Sequence, residues 1–214
     1  MCAIVVREIR RADCKSERVS VEEFLLELSA RTPAPGGGAA GAYSVAVGAS
    51  LCQMVLRYAP GPPDEEALDL MANLTARAAR LAKEDEASYE AVLSAFRSSK
   101  GKDPREASEV KKKAFIDASK IPSLSVDVAL EVCEIVMSQV SRVNPHLVGD
   151  LIAAGLIAVA GGLVGAELVL ANLGDIESEL VDRALCDLEQ LLGVQSELLR
   201  VLGDKRSKAP LWDI

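Results

Sequence analysis

Thr32-Pro33-Ala34-Pro35-Gly36-Gly37-Gly38-Ala39-Ala40-Gly41 separates a helix-forming stretch from a long segment of small residues. Each proline removes a backbone donor and biases the residue before it away from helical angles, so a helix arriving from the N-terminal side stops before Pro33. Three glycines follow, free to take turns that a Cβ forbids. The run from Ala39 to Ser50 carries no charge and reads as a second helix. A glycine turn feeding a helix leaves bare N–H groups pointing outward, suited to an anion or a carbonyl oxygen. Pro35 and Gly36, Gly37 and Gly38 are therefore expected to form one wall of a ligand site. The motif alone is weak, since no Lys-Ser/Thr follows it as in a phosphate-binding Walker loop.

Outward from this turn the chain reads as helix after helix. On its N-terminal side, Ser20-Val21-Glu22-Glu23 has the form of a capping box, and that helix is expected to reach about Ala30. Residues 1–19 show no period and are expected to be a poorly ordered arm, with a single helical domain over 20–214. On the C-terminal side a helix is expected over 38–58, ended by Pro60-Gly61-Pro62-Pro63. Asp64-Glu65-Glu66 places acidic residues at the positive end of a third helix that reaches about Ser98. Within it Ala67, Met71, Leu74, Ala78, Leu81, Asp85, Ser88, Val92 and Ala95 alternate steps of four and three, the seam of a long packed helix. Asp103-Pro104 opens a fourth helix to about Lys120, which Pro122 is expected to interrupt before a restart at Ser123 or Ser125 carries it to Val143. Asn144-Pro145 starts an apolar helix over 146–173, and a last helix is expected over 176–202. No strand pattern and no internal repeat is visible. Short breaks between long helices imply an all-α, antiparallel multi-helix bundle.

Composition agrees and excludes several functions. The chain has 214 residues, half of them apolar and 26% charged, which suits one soluble domain. Aromatic residues make up 3%, too few for a strand-rich fold. A net charge of −8 gives nucleic acid nothing to hold, and Lys111-Lys112-Lys113 reads as a solvated helix face. Five scattered cysteines without a CxxC, and the single His146, make a zinc site unexpected and fit reduced thiols in a cytoplasmic protein. Arg7, Arg10 and Arg11 come after the short apolar opening, the wrong order for a secretory signal. Thr32 to Leu56 is uncharged and exceeds the roughly 20 residues a membrane span needs, whereas the uncharged run from Leu151 to Ala166 falls short of it. Both are expected as buried helices, with no membrane partner. Their small side chains call for close helix neighbours, so a homodimer is expected as well.

Three places can hold chemistry. Asp85 lies on the apolar seam, where an unpaired carboxylate costs several kcal/mol or stays protonated; it is either a hydrogen-bonded core residue or a ligand contact. Asn144, His146 and Asp150 cluster at a helix start. Asn144 and Asp150 make sense there as cap and first-turn acid, and His146 as a surface residue. Yet Asp150 borders sixteen uncharged residues, a dry setting in which a carboxylate can work as acid or base. Asn172 ends the apolar helix, as a cap or as a ligand contact.

Taken in order, Pro33-Ala34-Pro35-Gly36-Gly37-Gly38-Ala39-Ala40, Asp85-x-x-x-Tyr89-x-x-Val92, Ala118-x-x-x-Pro122, Asn144-x-x-x-x-Gly149-Asp150 and Asn172-Leu173 resemble the formiminotetrahydrofolate cyclodeaminase / methenyltetrahydrofolate cyclohydrolase family. The resemblance extends over about residues 20–203. It implies a helical homodimer with a cofactor-free, metal-free site for a tetrahydrofolate derivative, lined by the Gly36–Gly38 turn, Asp85, Asn144 and Asp150, with Asn172 beside it. It also implies proton transfer by Asp150 or Asp85, the other carboxylate holding the donor edge of the pterin. Many relatives carry a lysine-rich loop after the second helix, where this chain has Arg57-Tyr58-Ala59-Pro60-Gly61-Pro62-Pro63. Leu168 stands where the family often has Asn, and Gly149 where it usually has Ser. Cyclodeaminase is the first expectation, cyclohydrolase the second, and a folate-binding or helical interaction protein on the same scaffold the third.

Overall fold

The computed structural model describes residues 20–206, and among them the only regular structure is helical. Six α-helices follow one another: α1 (Val21–Leu28), α2 (Gly37–Arg57), α3 (Glu65–Ser98), α4 (Pro104–Gln139), α5 (Val148–Leu173) and α6 (Glu179–Arg206). A 3-10 turn over Pro145–Leu147 precedes α5. The fold is the all-α antiparallel bundle expected from the sequence. The arm expected over 1–19 lies outside the described residues.

Among the described residues two compact units part at the Thr32–Pro33 junction, with α1 in the first and α2 to α6 in the second. The cause is local: α1 buries none of its residues, and the proline pair follows directly. Its capping box forms as expected. The Ser20 hydroxyl accepts from the Glu23 N–H at 3.1 Å, and the Glu23 carboxylate accepts from the Ser20 N–H at 2.7 Å.

In the second unit, α5 is the central helix and packs on α2, α4 and α6, while α3 closes against α2 and α4. Small residues bring the α2 and α5 backbones together. A Cβ on Gly161 would overlap the Gly41 carbonyl oxygen, and one on Gly48 would lie 2.7 Å from the Ala154 carbonyl oxygen. Both helical stretches, Gly37–Arg57 and Pro145–Leu173, are long and apolar enough to cross a membrane. The second therefore exceeds what its sixteen-residue uncharged run implies, because Asp150 and Glu167 sit at the edges of that run without ending the helix. About half of each apolar window, 56% and 50%, is buried within the bundle.

Helix α3 starts on Asp64, whose side chain accepts from the Ala67 N–H at 3.1 Å. Its seam is buried from Ala67 to Leu81, becomes half-buried at Asp85 and Ser88, and is buried again at Val92. Helix α4 departs from expectation, running unbroken through Pro122 and ending at Gln139. A proline inside a helix costs about 3 kcal/mol through the lost bond and the clash with the preceding turn. Packing overrides that cost here. Gly165 of α5 faces the Pro122 carbonyl, and a Cβ there would come within 2.8 Å of the oxygen. Helix α6 begins at Glu179 and reaches Arg206, later at both ends than expected. Next to its start, the Ser178 hydroxyl accepts the Leu180 N–H at 3.3 Å.

Candidate functional site

The polar gap in the α3 seam opens into a cavity of about 250 Å³. Four parts of the chain build it. The Pro33–Gly38 turn supplies Pro33, Ala34 and the three glycines. Asp85, Ser88, Tyr89 and Val92 come from α3, Phe115, Ala118 and Pro122 from α4, and Leu168 with Asn172 from the C-terminal end of α5. Each helical set has steps of three and four residues, so each is one face of its helix. Pro35 is buried behind the turn.

Asp85 is the central group of this cavity. Its carboxylate accepts the backbone N–H of Ala39, in the first turn of α2. Gly36 caps that helix without a side-chain bond of its own, so a carboxylate from α3 serves one of the orphan donors. The carboxylate lies directly against Gly38, where a Cβ would overlap all three of its atoms. Burial pushes the Asp85 carboxyl above the ordinary carboxylate range, and the Ala39 N–H partly offsets this. The Ser88 hydroxyl donates to the Asp85 carbonyl at 2.8 Å and so braces the same turn of α3. A half-buried carboxylate held against a helix N-terminus, with a raised proton affinity, can accept or return a proton at a bound ligand.

The other predicted carboxylate stands elsewhere. Asp150 is half-buried in the first turn of α5, whereas Asn172 is in the last, roughly 33 Å away at 1.5 Å per residue. The Asn144 side chain accepts the His146 N–H at 3.0 Å and caps the 3-10 turn; His146 itself is exposed. Within one chain, then, Asp85, the glycine turn and Asn172 come together, while Asn144 and Asp150 form a separate group at the far end of α5. Phe115 went unnoticed in the sequence. Its signal was available: it precedes Ala118 by three residues and Pro122 by seven, the spacing of one helix face. It also stacks edge-on against Phe96, with ring centroids 5.9 Å apart.

A larger groove of about 590 Å³ runs between α3 and α4 and shares Ser88 and Ala118 with the cavity. Its floor is apolar, with Ala87, Ala91, Val110, Ala114 and Ile121, and its rim carries Glu84, Lys113 and Asp117. Asp117 bonds Lys113 at 2.5 Å and Lys120 at 2.7 Å, and the two lysines lower its carboxyl to about 2. Two cations thus share one anion. The buried Cys52 and Cys133 thiols, pushed up to about 12 chiefly by burial, sit in the core outside the cavity. Among the described residues no three His, Cys, Asp or Glu side chains converge as a metal site would require.

A model of the formiminotransferase-cyclodeaminase family matches residues 20–187, most of the chain. The chain belongs to that family. A methenyltetrahydrofolate cyclohydrolase of Methylorubrum extorquens is 28% identical over 152 residues, covering 66% of this chain and 73% of its own. A formiminotetrahydrofolate cyclodeaminase of Thermotoga maritima, solved by crystallography, superposes with a TM-score of 0.74 at 24% identity. The match covers 88% of this chain and 96% of that one, and supports the fold. The cavity of this family member uses Pro33, Ala34, Gly36, Gly37, Gly38, Asp85, Tyr89, Val92, Ala118, Pro122 and Asn172, residues that carried the resemblance in the sequence.

Proposed function

We propose that this protein is a folate one-carbon enzyme acting on the carbon that bridges N5 and N10 of tetrahydrofolate, and that its reaction is the hydrolysis of 5,10-methenyltetrahydrofolate. The observation that carries this is the Asp85 carboxylate, laid against Gly38, bonded to Ala39 N–H and facing a small cavity. Family membership supplies the substrate class, and the curated relative at 28% identity favours hydrolysis over the cyclodeaminase put first from the sequence.

In this reaction water attacks the methenyl carbon as Asp85 takes its proton. The hydroxyl left on that carbon gives its remaining proton to solvent as its oxygen becomes the carbonyl, the bond from the carbon to N5 breaks, N5 receives the proton held by Asp85, and the carbon stays on N10 as a formyl group. A positioned carboxylate contributes about 10²–10⁴-fold to such a step. No metal or further cofactor is needed. The 250 Å³ cavity is smaller than the roughly 300–1,000 Å³ that enclose a whole drug-sized ligand, so it receives the pterin end. The benzoyl ring then lies along the apolar α3–α4 groove, and the glutamate tail meets Lys113 on its rim and Lys120, which shares Asp117 with it. These two lysines take the place of the lysine-rich loop the chain lacks. Asn172 and the glycine turn contact substrate, whereas Asn144 and Asp150 are outside this cavity.

Cyclodeaminase is the second reading, supported by the family description. In it N10 attacks a formimino carbon, the carbon–nitrogen bond to the leaving group breaks, and the raised proton affinity of Asp85 serves to protonate departing ammonia. A homodimer in the cytoplasm completes the proposal, on the strength of the small-residue helices. Sedimentation giving only a 22.7 kDa species would count against the dimer. The test of function is to offer both folates and follow absorbance: faster loss of 5,10-methenyltetrahydrofolate marks hydrolysis, and its appearance from 5-formiminotetrahydrofolate marks deamination.

A further inference from the structure

Pro122 is a cavity residue with no part in the proton transfer assigned to Asp85. It sits inside α4, buried, in a helix that continues past it for more than four turns. A proline nitrogen has no hydrogen to give to the carbonyl four residues earlier, and its ring pushes that carbonyl off the helix axis. The carbonyl concerned belongs to Ala118. Ala118 and Pro122 both line the cavity, so the turn between them is part of its wall. The Pro122 carbonyl is directed elsewhere, against Gly165 of α5.

A buried carbonyl left without a donor costs about as much as a lost hydrogen bond, and such groups nearly always find a partner. In α4 the partner cannot be the amide four residues on, because position 122 is proline. No side-chain donor reaches the Ala118 carbonyl among the described residues, whereas the neighbouring Ile121 carbonyl accepts the Ser125 hydroxyl at 3.3 Å. Across the cavity from α4, α3 presents the Asp85 carboxylate, the other strong acceptor.

We propose that Pro122 frees the Ala118 carbonyl to accept a hydrogen bond from the N–H edge of the bound ring, across the cavity from the carbon on which Asp85 acts, so that this carbonyl selects a ligand with a donor on that edge. The inference rests on the folate reading and names what in the site distinguishes a pterin from a flat ring of acceptors. Site-facing bonds that a ligand must satisfy discriminate strongly, because an analogue lacking the donor leaves the acceptor buried and unpaired.

The test uses Pro122→Ala and ring analogues. Restoring an N–H at position 122 returns the Ala118 carbonyl to the helix. The variant should melt no lower than the parent, and the new amide should exchange slowly with solvent. KM for the folate substrate should rise about tenfold with kcat within twofold, the loss of one ligand hydrogen bond. Independently of any variant, the parent should bind a ring methylated at N3, or with N8–H replaced by C–H, at least fivefold more weakly, and Pro122→Ala should lose that preference. Unchanged KM in the variant, or a parent indifferent to both analogues, overturns the role of the carbonyl while leaving the folate reading intact. A parent that neither binds nor converts any folate takes both down.

Discussion

The two ends of helix α5 carry similar residues and do different things. At its N-terminal end, Asn144 caps a 3-10 turn and Asp150 sits in the first helical turn, both typical of a helix start. At its C-terminal end, Asn172 borders a cavity in which Asp85 is pressed against Gly38 and its carboxyl is raised by burial. From sequence alone the two aspartates were equal candidates. What separates them is convergence: Asp85 meets faces from three other segments, and Asp150 meets none of them.

Asp85→Asn should break this contrast most severely. Turnover should fall by about 10²–10⁴-fold while the amide oxygen still accepts the Ala39 N–H. Stability should move the other way. A carboxyl whose folded proton affinity is raised stabilises the fold fully below the ordinary carboxylate range and loses that contribution as pH climbs through its folded value. The variant should therefore melt higher than the parent at neutral pH, and chemical denaturation across pH should show the difference shrinking in acid.

Gly38→Ala comes next. The added Cβ overlaps the Asp85 carboxylate, so the acid must shift and its bond to Ala39 weakens. A loss of about 1–3 kcal/mol in unfolding free energy accompanies such overpacking, and turnover should drop at least tenfold, as misplacement of a reacting group by 1 Å costs up to 10²-fold. Comparing denaturation with activity separates the two. Reversing the charge of Lys113 and Lys120 together should raise KM for a glutamylated folate about three- to tenfold at low ionic strength, with kcat held; added salt should shrink the effect, since the pair is exposed.

The smallest effects belong to groups outside the convergence. Asp150→Asn should leave turnover within about twofold, well inside the range of surface substitutions; a loss equal to that of Asp85→Asn would contradict the assignment of the proton to Asp85. Ser119→Ala should be neutral or stabilising by up to about 1 kcal/mol in thermal unfolding, because its fully buried hydroxyl has no hydrogen-bond partner among the described residues.

Much of this arrangement was legible before any coordinates. The Ser20–Glu23 box, the Pro33–Gly38 break, the acidic start at Asp64, Asp103 before Pro104, and the seam from Ala67 to Val92 are local signals, and local signals define helices. Asp85 stood out as the one charge on an apolar seam, and the structure turns that irregularity into the mouth of a cavity. The helix through Pro122 was misread because its cost is local while its compensation, Gly165 on α5, lies far along the chain. Phe115 and the α3–α4 groove were missed for the same reason: a shared face is visible on one helix, but its partner is set by packing. Asp150 is a half-buried acid at a helix start next to an apolar run, a pattern that reads the same in sequence whether or not a second wall faces it.

The most direct test of the central claim mixes the parent protein and Asp85→Asn with 5,10-methenyltetrahydrofolate and records absorbance near neutral pH. The parent should speed its loss well above the buffer rate, and the variant should retain binding by calorimetry while losing about 10²-fold or more of that acceleration. A parent that neither accelerates the loss nor binds the folate, or a variant as fast as the parent, would contradict the account.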